Sequence, residues 1–324
     1  MRNSREVASD PLLVEIFGGM RAAEAARTPC GVRALLSALG AAACLWFAVS
    51  AWNGSESLPK TLSAAVPGVA LAVFALVQAV RYAKQDDLAQ AAFRRFAART
   101  VEAALEEGRY EPSGGVAEEE YLESGLYPRS DEYRSNGLVC GKEGRTAFRF
   151  ARIKAENVEI ERDAKGNRKE RRTTVFSGVW FAADFNKHFH SHTRVVPDTA
   201  ERVFGKGLGR WLQKAGSGGK LVETESPEFE KMFAVYSDSQ QDARYVLSPS
   251  LMERLEALGK RFRGLRAAFF GGKVVLALPG RGKYLEKTSA GSAEELAASL
   301  LESIAPYAGL VGDLDLNTRI WTKE

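Results

Sequence analysis

The sequence predicts an α+β protein: a two-helix transmembrane hairpin near the N-terminus, then a soluble domain with an antiparallel sheet and several helices. Three observations predict it. Two long charge-free runs follow one another. Basic residues flank the pair, while the turn between them carries little charge. Beyond them, β-branched and aromatic segments broken by glycines alternate with helical stretches that begin on capping residues.

The runs are residues 34–52, ALLSALGAAACLWFAVSAW, and 61–80, TLSAAVPGVALAVFALVQAV. Each is close to the ~20 apolar residues that a helix needs to cross a ~30 Å hydrocarbon core. Helices buried in a soluble core seldom run so far without a charge. The late start of the first run, and the second run behind it, argue against a short cleaved signal peptide. Arg21, Arg27 and Arg33 precede the pair, and Arg81, Lys84, Arg94, Arg95 and Arg99 follow it, whereas the turn offers only Lys60. By the positive-inside rule both termini are expected in the cytoplasm, with the hairpin in the cell (inner) membrane. Trp52 and Tyr82 fall at span ends, where amphipathic rings settle. Ser37 and Ala41 in the first span, and Ala64, Gly68 and Ala72 in the second, form small-residue stripes that let two helices approach. Pro67 removes one backbone donor and is expected to bend the second span. Neither span holds an ionisable residue, so an anchor is expected rather than a transporter or proton relay.

Composition narrows the classes further. With 45% hydrophobic and 27% charged residues the chain is not disordered. A net charge of +4 does not argue for nucleic-acid binding and is compatible with an anionic membrane face. Three cysteines, Cys30, Cys44 and Cys140, show no paired spacing, so neither a disulfide framework nor a structural zinc site is expected.

Leu12, Leu13, Ile16, Phe17 and Met20 repeat at helical spacing before the first span, and Leu88, Ala92, Phe96 and Leu105 do so after the second. Arg94, Arg95 and Arg99 then read as a solvated basic face, with contact to anionic lipid headgroups as the sharper alternative. Gly108 and the stretch 111–115 end this helix and mark a linker. The expected layout is a cytoplasmic amphipathic helix (1–33), the hairpin (34–80), a juxtamembrane helix (81–110) and a cytoplasmic α+β domain (111–324).

In that domain, residues 118–126 read as a short helix. Residues 144–160 and 173–185 read as strands, with a turn around 165–167, and Val195-Val196 belongs to a further strand. Asp238 is expected to cap a helix, with Gln241 returning the bond. Ser248-Pro249 opens the next, whose buried face is Leu251, Leu255, Leu258 and Phe262. Residues 265–270 and 273–278 form a hairpin turning on Gly271-Gly272. Ser292 and Glu295 form a capping box for a last helix with Leu296, Leu300 and Ile304 inward.

Phe229, Phe233, Val235-Tyr236-Ser237, Asp238, Ala243-Arg244-Tyr245, Leu247, Pro249 and Met252 resemble the signature of a bacterial membrane-protein family known as domain of unknown function 3137. Val175-Phe176-Ser177-Gly178 and Phe181 resemble its middle segment. The resemblance implies membrane anchoring and supplies no catalytic residues. Physically, these positions read as caps and core contacts.

Candidate sites are few. His188, His190 and His192 alternate in HFHSH; on a strand they would share one face, where imidazoles ligate zinc or copper. An exposed polar strand face is the plainer reading, because no second cluster completes a site. Asp238, Asp242 and Arg244 have the residue types of an acid-base group, but capping and a helical ion pair account for them. Asp184 reads as a turn former. The glycine-lysine patch 205–220 lacks the hydroxyl residue that a phosphate-binding P-loop needs after its Gly-Lys. Arg168, Lys169, Arg171 and Arg172, near Glu156, Glu159, Glu161 and Glu170, read as a solvated hairpin of mixed charge. No catalytic, cofactor or metal residue is assigned. The sequence favours a non-enzymatic membrane-anchored interaction or scaffold module. The alternatives are a membrane-associated enzyme or small-ligand-binding domain, and a metal sensor through the histidine row. Expected partners are the bilayer, its anionic headgroups and another protein, not nucleic acid.

Overall fold

The computed structural model describes residues 6–7, 9–53, 58–162, 168–198, 219–280, 282 and 284–317. The chain forms two compact units: residues 8–99 with 290–294, and residues 1–7, 100–289 and 295–324.

The first unit is built on two long helices, α1 (Pro11–Asn53) and α2 (Leu58–Ala104). Each is continuous, with no break at residue 33 or 80, and Pro29 and Pro67 lie inside them. Both are long and apolar enough to cross a membrane, and only 17% and 11% of their most apolar windows are buried. Leu35, Leu36, Leu39, Trp46, Val69, Val73 and Leu76 stand exposed, an arrangement that water penalises and lipid does not. Ser37 and Ala41 are buried. A Cβ on Gly68 would lie 3.0 Å from the Cys44 Cβ, so the backbones meet closely there. Ala72 is exposed, a departure from the expected stripe. Gly68 and Gln78 take the buried face instead, because 3.6 residues per turn carries a strict every-fourth pattern around the helix. Next to the apolar parts, Arg27 pairs with Asp86. Arg99 holds Asp10 at 2.8 Å, which leaves Arg94 and Arg95 as the exposed members of the expected basic face.

The second unit carries a nine-stranded sheet in the order β1-β2-β3-β4-β9-β8-β5-β7-β6, every pair antiparallel. The strands are β1 (Glu106–Glu111), β2 (Glu132–Glu143), β3 (Thr146–Arg162), β4 (Arg168–Asp184), β5 (Thr193–Pro197), β6 (Lys220–Val222), β7 (Phe233–Ser237), β8 (Arg266–Phe270) and β9 (Lys273–Pro279). The helices are α3 (Glu118–Glu123), α4 (Pro227–Glu230), α5 (Gln240–Val246), α6 (Pro249–Arg261), α7 (Ala293–Ala308) and α8 (Leu310–Asp313). This is the α+β architecture the sequence predicts. The stretch read as helix end and linker at 105–111 is instead edge strand β1, paired to β2 through Arg109↔Cys140 and Tyr110↔Val139.

Strand alternation sorts side chains onto two faces. Ala151, Ile153, Ala155, Phe176, Trp180 and Ala182 join Tyr121, Leu126 and Tyr127 in one core layer. Phe148, Phe150 and Phe181 stack on the other face, where Phe150 meets Tyr284 and Tyr307. Gly271 and Gly272 turn the β8–β9 hairpin with φ of +57° and +71°.

Gly178 marks the tightest approach in the sheet. A Cβ there would stand 2.1 Å from the Leu278 carbonyl oxygen of paired strand β9, a backbone atom that cannot swing aside. Gly178→Ala is therefore expected to cost about 1–3 kcal/mol or more, seen as a lower urea midpoint of the detergent-solubilised chain. An unchanged midpoint would mean that the strands can part there without loss.

Candidate functional site

The histidine segment does not form a strand. Residues 186–192 are a loop, and β5 begins only at Thr193. His188 and His190 are exposed, whereas His192 turns inward. Its ring stacks on Phe270 with centroids 4.7 Å apart, and its Nε2 lies 2.9 Å from the Ser124 carbonyl oxygen. A carbonyl only accepts, so Nε2 carries the proton. Among the described residues no group of three or more His, Cys, Asp or Glu is placed to hold a metal ion. The shared-face row that the metal reading needs is not what the backbone makes.

Asp238 and Asp242 hold this loop. Asp238 Oδ1 accepts from the His192 amide at 2.9 Å. Asp242 Oδ2 accepts from the amides of His190 (3.3 Å) and Ser191 (3.2 Å). The expected helix cap is thus displaced by one residue. Ser239 is the cap of α5, its hydroxyl accepting from the Asp242 amide at 3.2 Å, and Asp238 is left for the loop. Arg244 is exposed, and the Asp242 carboxylate is spent on the two amides, not on a helical ion pair. Asp184 is exposed at the last position of β4, paired with Lys273 of β9.

Behind the loop lies a buried charge that the sequence reading missed. Arg194, on β5, is 0% exposed. Burial pulls its pKa down and the Asp238 carboxylate pushes it back. Gly125, at φ +62°, makes room for it, since a Cβ there would stand 2.5 Å from Arg194 Nε. Arg266 donates to the Leu126 carbonyl at 2.5 Å and lies 4.2 Å from the Tyr127 ring centroid. These groups tie the turn after α3 to β5, β8 and the start of α5. They bind backbone to backbone, and nothing in them converges on open space.

Two features do face solvent. Lys187 Nζ donates to the Tyr245 and Val246 carbonyls (2.7 and 3.3 Å) at the end of α5 and borders a cavity of about 220 Å³. Elsewhere on the sheet, Arg134, Asn136, Arg152, Lys154, Glu156 and Ser177 line an open groove of about 620 Å³. Ion pairs balance its charge: Arg134–Glu132 (3.0 Å), Arg152–Glu286 (2.7 Å) and Lys154–Glu156 (2.7 Å).

From that groove β3 and β4 continue alone. Glu132, the first residue of β2, pairs with Glu156, and Pro279, the last of β9, pairs with Gly178. Six further rungs, from Asn157↔Thr173 to Arg162↔Arg168, have no third strand among the described residues, a ribbon of about 20 Å. The hairpin of mixed charge expected there is present. Arg171 reaches Glu161 at 3.2 Å, and Arg172 contacts Glu132, Glu156 and Glu170. The turn at 165–167 lies outside the described residues, as does 205–218 of the glycine-lysine patch; Lys220 opens β6. Cys30, Cys44 and Cys140 are free thiols.

The inward His192 has a pH consequence. Burial, then the Arg194 charge beside it, pulls its pKa down to about 4. The ring stays neutral in the fold, while the unfolded chain takes up a proton below ~6.5. The unfolded state then binds more protons, so stability should fall as pH drops from about 6.5 to about 4. Urea midpoints across that range should slope in wild type and flatten in His192→Gln; equal slopes would refute a buried neutral imidazole.

Comparison with curated proteins and with solved structures finds no match. A family match begins within β4, at residue 174, and runs to residue 316. It takes in β5 to β9, the Asp238–Asp242 clasp and the cavity at Lys187, and leaves out β1 to β3 and both long helices. Residues 174–316 match the family described as "Protein of unknown function (DUF3137)", and over that stretch the chain is similar to that family.

Proposed function

We propose that this protein is a non-catalytic interaction module anchored in the cell (inner) membrane by α1 and α2, with both termini and the sheet-bearing unit in the cytoplasm. Orientation rests on the arginines and lysines that flank the apolar runs. The partners in this reading are the bilayer, anionic headgroups beside Arg94 and Arg95, and one further protein. Nucleic acid is not among them.

The observation that carries the interaction role is the β3–β4 arm. A lone two-stranded ribbon buries no face and is marginal in water. Among the described residues, neither outer edge of this one has a neighbouring strand along its six rungs, and Asp131 takes the Val158 amide at 2.8 Å. Ile160 stands 63% exposed on it. The strands differ in charge: Glu156, Glu159 and Glu161 lie on β3, and Arg168, Lys169, Arg171 and Arg172 on β4. An extended segment of a partner can add to such an edge, with backbone bonds supplying affinity and the charged row supplying register.

Two measurements test this. Replacing residues 158–172 by an Asn-Gly turn should leave the unfolding free energy from urea titration within about 1 kcal/mol of wild type, since the arm supports no core. It should remove partners that co-purify with the full chain from detergent-solubilised membranes; identical partners with and without the arm would sink the role. Protease added to right-side-out vesicles should spare the sheet-bearing unit until detergent is added, and cleavage without detergent would reverse the orientation.

A further inference from the structure

The cavity beside Lys187 has a chemistry that neither the anchor nor the arm uses. It lies wholly within the family-matched stretch. Phe185, Leu251, Leu314 and Leu316 give it an apolar lining. Lys187, Ser248, Arg254 and Asp315, with Asn186 and Ser250, line it as well.

Arg254 and Asp315 account for each other. Arg254 donates one NH2 to Asp315 Oδ2 and its NH1 to the Asp313 carbonyl, both at 3.1 Å, and its Nε contacts Ser250 Oγ at 3.4 Å. That pair is neutral overall. Lys187 is different. Its ammonium has three N–H groups, and two carbonyls at the end of α5 take two of them. It lies 5.1 Å from the Tyr245 ring and 5.7 Å from the Phe185 ring. Burial alone lowers its pKa, with no carboxylate holding it up. The wall therefore holds one cation more than it holds anions. Ser248 occupies the cap position of α6 with Pro249 behind it, and its hydroxyl makes no bond to the helix. The sequence reading assigned that hydroxyl to capping; the structure leaves it at the cavity.

A ligand that completes this wall has one negative head for the ammonium and hydroxyl and a short apolar body for the leucines. About 220 Å³ is below the ~300–1,000 Å³ of pockets that take drug-sized molecules. We propose that this cavity binds a small organic acid, its carboxylate held by Lys187 and Ser248 and its aliphatic body packed on Phe185, Leu251 and Leu314. The site does not depend on the arm or on membrane orientation.

The test uses the full chain in detergent and follows its thermal midpoint at constant ionic strength. The probes are 3-methylbutanoate, 3-methylbutanol, 3-methylbutylamine and acetate. 3-Methylbutanoate should raise the midpoint saturably, acetate should act only at higher concentration, and the alcohol and amine should have no saturable effect. Ser248→Ala, which removes no bond within the fold, should weaken 3-methylbutanoate about tenfold. Lys187→Met should abolish the response, and Lys187→Arg should restore part of it. Should Lys187→Met fail to fold, Ser248→Ala decides alone. No saturable response in wild type, an equal response to the alcohol, or an undiminished response in Ser248→Ala overturns the proposal.

Discussion

The sheet is one sheet only because β4 pairs with β9. On one side lies a meander, β1 to β4, in which each strand pairs with its successor. On the other lie β9, β8, β5, β7 and β6. Among the described residues the ladder from Gly178↔Pro279 to Asp184↔Lys273 is the only pairing between those halves. It joins residues about a hundred positions apart, so the chain must close a long loop before the core layers meet. Trp180 and Phe181 sit next to each other on β4 and point to opposite faces, so this single strand seeds both layers. Gly178 lets the backbones come close enough for that to happen.

Local chemistry was legible where the signal is local. Charge-free length announced α1 and α2, Gly271-Gly272 announced the β8–β9 turn, and Ser-Pro announced α6. Strands β1 and β2 were not legible, for a physical reason. β2 reads EYRSNGLVCGKE, in which polar residues and two glycines look like a loop. Gly137 there is not a chain break. It has φ +71°, and a Cβ on it would stand 2.9 Å from the Tyr284 ring, whose hydroxyl donates to the Gly137 carbonyl at 2.5 Å. The aromatic that fills the place of a β2 side chain comes from residue 284, and no local pattern announces that. The boundary drawn at 33 had a similar origin. It followed a change in composition, while the helix itself runs on.

The candidate site shows the same division. His-x-His-x-His was visible, but its geometry is set by Asp238 and Asp242, fifty positions away, which bend the segment into a loop. Capping rules found a helix start near 238 and chose the wrong residue, because Ser239 takes the cap once Asp238 is drawn to the His192 amide. Arg194 gave no sign in sequence. An arginine between Thr193 and Val195 looks like an ordinary outward strand position, and only the opposing turn at Gly125 makes it interior.

Tethering changes what a weak site is worth. A small cavity with one unmatched cation, or a two-stranded edge, gives modest affinity on its own. In the proposed reading, where two helices hold the chain in a membrane, the sheet-bearing unit would meet a partner in the same bilayer at an effective concentration that reaches the millimolar range for short flexible connections. The connection here is helix α2, which ends at Ala104, followed almost at once by β1 at Glu106. The arm carries its acidic residues mainly on β3 and its basic ones mainly on β4, so partner and register can be set by sign.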